Sequence, residues 1–270
     1  MRLGLSTYAL MWSIGFPGAE HRNRMDAFSV LACARELGVG VVQFGPNLPI
    51  DLLADSELVR LREQALADNI LLECGTRGLA ASHLQKHISL ARRLSSNILR
   101  TVPDFDVGKA PEMSEIAREL RRILPELESN NVRLAIENGN IPARQLSRLM
   151  NELDSPWIGV TLDTANSLAV LEGTREVVEV LAPHVLSFHV KDFVVDRLWH
   201  RMGFVVEGRP AGKGQVDFLW IFAQLQAAGS DPNAILELWP PQQPEIEATV
   251  ALERAWAEES VRYLRQYLPH

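Results

Sequence analysis

A single α/β domain, a (β/α)8 barrel, is the fold class the sequence predicts, and three observations predict it. Eight short apolar, β-branched runs recur along the 270 residues, amphipathic helical patterns lie between them, and no linker, low-complexity tract or charge block divides the chain. Runs that are apolar almost throughout suit parallel strands covered on both faces. Eight strand–helix units in about 250 residues close most simply into a barrel. Residues 1–270 are therefore read as one domain. A doubly wound open sheet is the alternative, but no GxGxxG follows the first strand to favour it.

The strand runs begin near Leu3 (LGLST), Val39 (VGVVQF), Ile70 (ILLECG), Ile98 (ILRTV), Val132 (VRLAIEN), Ile158 (IGVTLD), Val185 (VLSFHV) and Ala234 (AILELW). After the first, Asp26 to Leu37 sets Phe28, Leu31, Ala32 and Cys33 among polar neighbours, and Gly38 ends the helix as a C-cap. Ser82 to Leu94 carries Leu84, Ile88, Ala91 and Leu94 on a period near 3.6. Pro111 to Asn130 is a longer amphipathic stretch in which Pro125 predicts a kink or break. Val216 to Ala228 and Glu245 to Leu268 supply the last two helices. One connection is too long for a plain turn. Lys191 to Gln215, between the seventh and eighth strands, reads as a functional loop covering the C-terminal mouth, where barrel active sites assemble.

Composition excludes several classes. With 27 basic and 34 acidic residues the formal charge is −7, which argues against nucleic acid as a partner, since phosphate binding needs a basic field. No stretch approaches the roughly 20 apolar residues of a membrane span, and the first residues lack the apolar core of a signal peptide. Cys33 and Cys74 form neither a disulfide framework nor a cysteine zinc site. A cytoplasmic protein is expected.

Four successive strands end in side chains able to bind metal: Glu137, Asp163, His189 and Glu237. Spacing of 26 residues separates Glu137 from Asp163 and Asp163 from His189, one strand–helix unit each. All four would converge at the mouth. Three carboxylates and an imidazole there need a countercharge, because unpaired buried ions cost several kcal/mol apiece. One divalent cation supplies it, and the oxygen-rich set favours Mn²⁺ or Mg²⁺, with Zn²⁺ and Co²⁺ as further candidates.

The segments IEN, LDTANS, HVKD, GKGQVDF and LELW resemble those of the xylose isomerase-like superfamily of TIM barrels, over essentially the whole chain. That superfamily includes sugar isomerases and epimerases, inosose and dehydroshikimate dehydratases, and endonucleases of the endonuclease IV type. The resemblance implies that Glu137, Asp163, His189 and Glu237 bind one metal. In its epimerase branch the two glutamates also serve as acid and base, which implies catalytic roles for Glu137 and Glu237. Proton transfer through an enediolate would then isomerise or epimerise a small carbohydrate or polyol, free or phosphorylated. The alternative is a lyase that dehydrates a keto-sugar or inosose, or removes a group β to a carbonyl. A sugar-binding barrel without catalysis is a more distant rival.

Two departures stand out. Three residues after Asp163, where the epimerases usually carry a histidine, this chain has Asn166, an amide that binds hydroxyls but carries protons poorly. The endonuclease branch needs further histidines, and His83 and His87 fall within a helical pattern instead. Lys191, two residues past His189, faces the same way and is a candidate for a substrate oxygen or for a structural ion pair. Asp192 is read as orienting the loop. Arg197 and His200 in the long loop are candidate substrate contacts, as loop arginines often are in this family. Tyr8, Trp12 and Phe16 offer an apolar wall to a sugar ring or to a second subunit of a homo-oligomer, or simply core packing. Arg100 is a candidate partner for a carboxylate inside the mouth, and Trp239 for a wall.

Overall fold

A computed structural model describes residues 1–19, 21–103 and 111–268. The first half runs β1 (Leu3–Ser6), α1 (Met11–Ile14), α2 (Ala27–Leu37), β2 (Val41–Phe44), α3 (Asp55–Ala67), β3 (Leu71–Arg77), α4 (Ala81–Arg93), β4 (Ile98–Val102) and α5 (Met113–Asn130). The second runs β5 (Arg133–Glu137), α6 (Ala143–Leu153), β6 (Ile158–Asp163), α7 (Thr174–Leu181) and β7 (Val185–Val190). It ends with β8 (Asp192–Arg197), β9 (Phe204–Arg209), α8 (Phe218–Ala227), β10 (Asn233–Leu236) and α9 (Ile246–Leu264). Eight strands close into a barrel in the order β1-β10-β7-β6-β5-β4-β3-β2, every pair parallel. The predicted (β/α)8 barrel is the observed fold, with β10 as its eighth strand.

Local signals act where expected, with two exceptions. Asp26 caps α2 by accepting the Ser29 N–H at 2.8 Å, and Gly38 closes it. Pro125 neither breaks nor ends α5, which continues to Asn130. Proline removes the bond that would reach the carbonyl of Arg121, but both residues are exposed, so water can serve that carbonyl while Ile123 and Leu127 stay in the core. The second exception is the long connection. It is not a loop but an antiparallel hairpin, β8 paired with β9 from Asp192↔Arg209 to Arg197↔Phe204. Its base is tied by Asp192, whose carboxylate accepts the N–H groups of Gly212 and Gly214 at 2.8 Å and of Val216 at 3.1 Å.

The barrel strands are not apolar on both faces. Leu5, Val42, Leu72, Leu99, Leu134, Leu162, Phe188 and Leu236 join the core under the helices. The in-register inward positions include Ser6, Gln43, Glu73, Arg100, Thr161, Ser187 and Asn233, and all but Asn233 are fully buried. One irregularity sets the register of the site. Between β6 and β7 the pairing steps from Val160↔Val185 to Thr161↔Ser187, leaving Leu186 as an extra residue. The bulge needs Gly159, because a Cβ there would stand 2.5 Å from the His184 carbonyl oxygen and 2.6 Å from Leu186 Cγ. Because of it, Asp163 lies opposite His189 rather than Phe188.

Candidate active site

Glu137, Asp163, His189 and Glu237 do meet at the C-terminal mouth, and none is exposed by more than 2%. The imidazole is the hub. His189 Nδ1 lies 3.4 Å from Glu137 Oε2, 3.4 Å from Glu237 Oε1 and 3.5 Å from Asp163 Oδ2. Among the described residues this buried nitrogen has no hydrogen-bond partner. Two cations complete the cluster. Lys191 Nζ sits 2.8 Å from Asp163 Oδ2 and 2.9 Å from Glu237 Oε2, and donates to Asn166 Oδ1 at 3.1 Å. Arg100 Nε donates to Glu137 Oε2, and Asn166 Nδ2 donates to Glu137 Oε1 at 2.6 Å. Ser6 Oγ donates to Glu237 Oε1 at 2.9 Å.

The charges of these groups depend on one another. Burial opposes ionisation of Asp163, but Lys191 and His189 outweigh it and hold the carboxyl well below the usual range. Glu237 is lowered in the same way, against its own burial, by His189, Lys191 and Arg100. Burial disfavours the cationic forms of His189 and Lys191, yet the surrounding carboxylates raise both. Lys191 is thus held as an ammonium.

The donor set fits a divalent cation. Glu137, Asp163 and His189 offer ligand atoms within 4.8 Å of one another, all buried, and Glu237 adds a fourth on the same imidazole nitrogen. A neutral imidazole would aim its lone pair at three carboxylates, an arrangement that a shared cation resolves.

Tyr8, Met11, Asn166, Lys191, Glu237 and Trp239 line an adjoining cleft of about 540 Å³, with Val206 of the hairpin on its rim. Tyr8 is therefore a wall of the cleft. Trp12 is buried instead, with Phe16 against it at 5.1 Å between ring centroids. Arg197 and His200 are not brought to the cluster. Both are exposed on the hairpin, where Arg197 Nη1 donates to the Arg201 carbonyl at 3.1 Å and His200 Nδ1 accepts the Met202 N–H at 3.2 Å. Gln43 and Ser6 contact the cluster, and Glu73 reaches it through Gln43, although the sequence reading names none of the three. The signal was a polar residue inside an otherwise apolar strand, as in VVQF and LLEC.

Residues 8–267 match the family model described as a xylose isomerase-like TIM barrel. The chain belongs to that family. Within it, the chain is 34% identical over 271 residues to a 3-oxo-isoapionate decarboxylase of Pectobacterium atrosepticum, covering 100% of this chain and 97% of that protein. The barrel superposes with a TM-score of 0.76 on D-psicose 3-epimerase from Clostridium cellulolyticum H10, solved with D-tagatose, at 12% identity and 99% coverage of both chains. It superposes with a TM-score of 0.69 on a xylose isomerase-like TIM barrel protein from Mycobacterium smegmatis in complex with magnesium, at 14% identity and 97% coverage of both. Likeness at these identities concerns the fold. Among the described residues no helix is long and apolar enough to cross a membrane.

Proposed function

We propose that this member of the family is a divalent-metal-dependent lyase that decarboxylates a 3-oxo acid of the carbohydrate class. The observation that carries the reading is a charge count. Glu137, Asp163 and Glu237 contribute three negative charges, and Arg100 and Lys191, both wired into the cluster, contribute two positive ones. Glu73, one layer deeper, is pushed by burial toward its neutral form. With a divalent cation the cluster would carry one net positive charge, which suits an anionic substrate better than a neutral sugar.

Glu137, Asp163, His189 and Glu237 would hold the cation, which when bound polarises a ketone oxygen and offsets the charge that develops there. Breaking the C–C bond to the carboxylate releases neutral CO2 and leaves its electron pair on the substrate as an enolate. No base is needed for that step; an acid is needed for the next. Lys191, on the wall of the cleft and hydrogen-bonded to Asn166, is placed to return a proton to the carbon. The relative named as a 3-oxo-isoapionate decarboxylase supports the same class of reaction.

A second reading, isomerisation or epimerisation, keeps one observation in its favour: Glu137 and Glu237 flank the same imidazole nitrogen at 3.4 Å from different strands, as an acid–base pair would. Incubation of the Mn²⁺- or Mg²⁺-supplemented enzyme with 3-oxo-isoapionate and with a panel of ketoses in D2O separates the two. Decarboxylation gives stoichiometric CO2 and deuterium at the carbon that bore the carboxylate. The Lys191→Met variant should keep its metal and lose about 10²–10⁴ in kcat. Epimerisation of a ketose with α-proton exchange, no CO2, and loss of turnover in Glu137→Gln and Glu237→Gln would establish the second reading instead.

A further inference from the structure

His189 is held from behind as well as in front. Its Nε2 lies 2.7 Å from Gln43 Oε1. Gln43 Nε2 in turn donates to Glu73 Oε2 at 2.8 Å, and Glu73 Oε1 accepts from Asn233 Nδ2 at 2.7 Å. Ser187 Oγ donates to Glu73 Oε2 at 3.4 Å, so three donors converge on this carboxyl group. Gln43 and Glu73 are direct neighbours across β2 and β3, and Asn233 and Ser187 across β10 and β7, so the whole relay lies on the inward face of the barrel. Gln43, Glu73, Ser187 and His189 are fully buried.

The amide oxygen and nitrogen of a glutamine are told apart by their partners. Three donors converge on the Glu73 oxygens, which accept from Gln43, Ser187 and Asn233, so Glu73 turns the Gln43 NH2 group toward itself and the Gln43 oxygen toward His189. That oxygen needs a donor, which places the ring hydrogen on Nε2. In the neutral imidazole the lone pair is then on Nδ1, the atom that faces Glu137, Asp163 and Glu237. The opposite tautomer would point an N–H at those carboxylates and offer a cation nothing.

We infer that Gln43 and Glu73 are positioning residues that set the tautomer of His189 for cation binding. The inference rests on the reading of the mouth cluster as a cation site. It differs from a packing role, which would need the volume of these side chains but not the direction of their hydrogen bonds.

Glu73→Gln preserves the volume but offers Gln43 a donor as well as an acceptor, so the Gln43 amide is free to turn over. Gln43→Leu removes the acceptor outright. ¹H–¹⁵N long-range spectra of the cation-free protein, recorded alkaline enough for the ring to be neutral and assigned with His189→Gln, should show the wild-type hydrogen on Nε2. Both variants should lose that preference, and calorimetric Zn²⁺ affinity should fall by about 10–100-fold. If Gln43→Leu does not fold, the nearly isosteric Glu73→Gln carries both readouts. A wild-type hydrogen on Nδ1, or native tautomer and native Zn²⁺ affinity in the folded variants, would overturn the inference. Absence of Zn²⁺ binding in the wild type overturns the cation reading of the mouth, while the spectra still decide whether Glu73 orients the ring.

Discussion

Gly139 shows how one residue without a side chain positions three that have them. Its φ is +124°, and a Cβ there would stand 2.7 Å from Asn166 Cβ. Asn166 occupies that space and uses both ends of its amide, donating to Glu137 and accepting from Lys191. Asn166, whose amide can bind a substrate hydroxyl, also bridges an anion and a cation of the cluster. Gly139→Ala should destabilise the protein by more than about 1 kcal/mol, since alanine is strained at this φ, and should weaken metal binding by displacing Asn166. Denaturant unfolding and calorimetry check the two effects. Unchanged metal affinity would mean that Asn166 does not hold Glu137 in place.

At the scale of elements, the hairpin is held at its base by a single carboxylate. Asp192 is buried, stands two residues beyond the end of the barrel strand that carries His189, and gathers N–H groups from the far end of the connection. Burial raises its pKa even though those N–H groups favour the anion. Asp192→Ala would take the acceptor from three N–H groups that are exposed or only partly buried, at about 1 kcal/mol each. The hairpin should then open at its base, seen as faster proteolysis between residues 192 and 216 and a lower Tm, with the barrel spectrum retained. Cleavage no faster than in the wild type would assign the stability of the hairpin to its own pairing. The sequence did contain the two strands, as the runs FVV and FVV around an exposed tip, yet a stretch interrupted by Arg197, His200 and Arg201 read as a loop. Pairing between two such short runs is decided by the rest of the fold, since a two-stranded hairpin alone is marginally stable in water.

For the whole molecule the cluster makes stability depend on pH and on cation together. Without cation, the raised pKa of His189 contributes stability that is fully present below its ordinary value of 6.5 and is lost as the pH rises through the folded-state value. The lowered pKa values of Asp163 and Glu237 act oppositely, contributing above 3.8 and 4.5 and failing as the pH falls through their folded-state values. The cation-free protein should therefore be most stable in the weakly acid range. On the proposed cation reading Mn²⁺ would take the place of the proton at Nδ1, and the Tm gained on adding it should be larger near about pH 8.5 than near about pH 5.5. A gain independent of pH would separate metal binding from His189.

The sequence was enough for the barrel and for the four side chains that meet at its mouth. Strand runs recur at the spacing of one strand–helix unit, and a charged residue that ends an apolar run stands out because burial there is costly. Glu137, Asp163, His189 and Glu237 are each visible on that ground alone. The partners of those residues were a different matter. Whether Gln43, Glu73 or Ser6 faces the barrel axis or the helices is a question of parity, and a register slip of one residue inverts the answer for a whole strand. Closure of the sheet and the bulge at Leu186 settle that parity and place Asp163 beside His189. The direction of the Gln43 amide, and with it the nitrogen of His189 left open to a cation, follows from contacts between residues 30 and 146 positions apart, which no local pattern can hold.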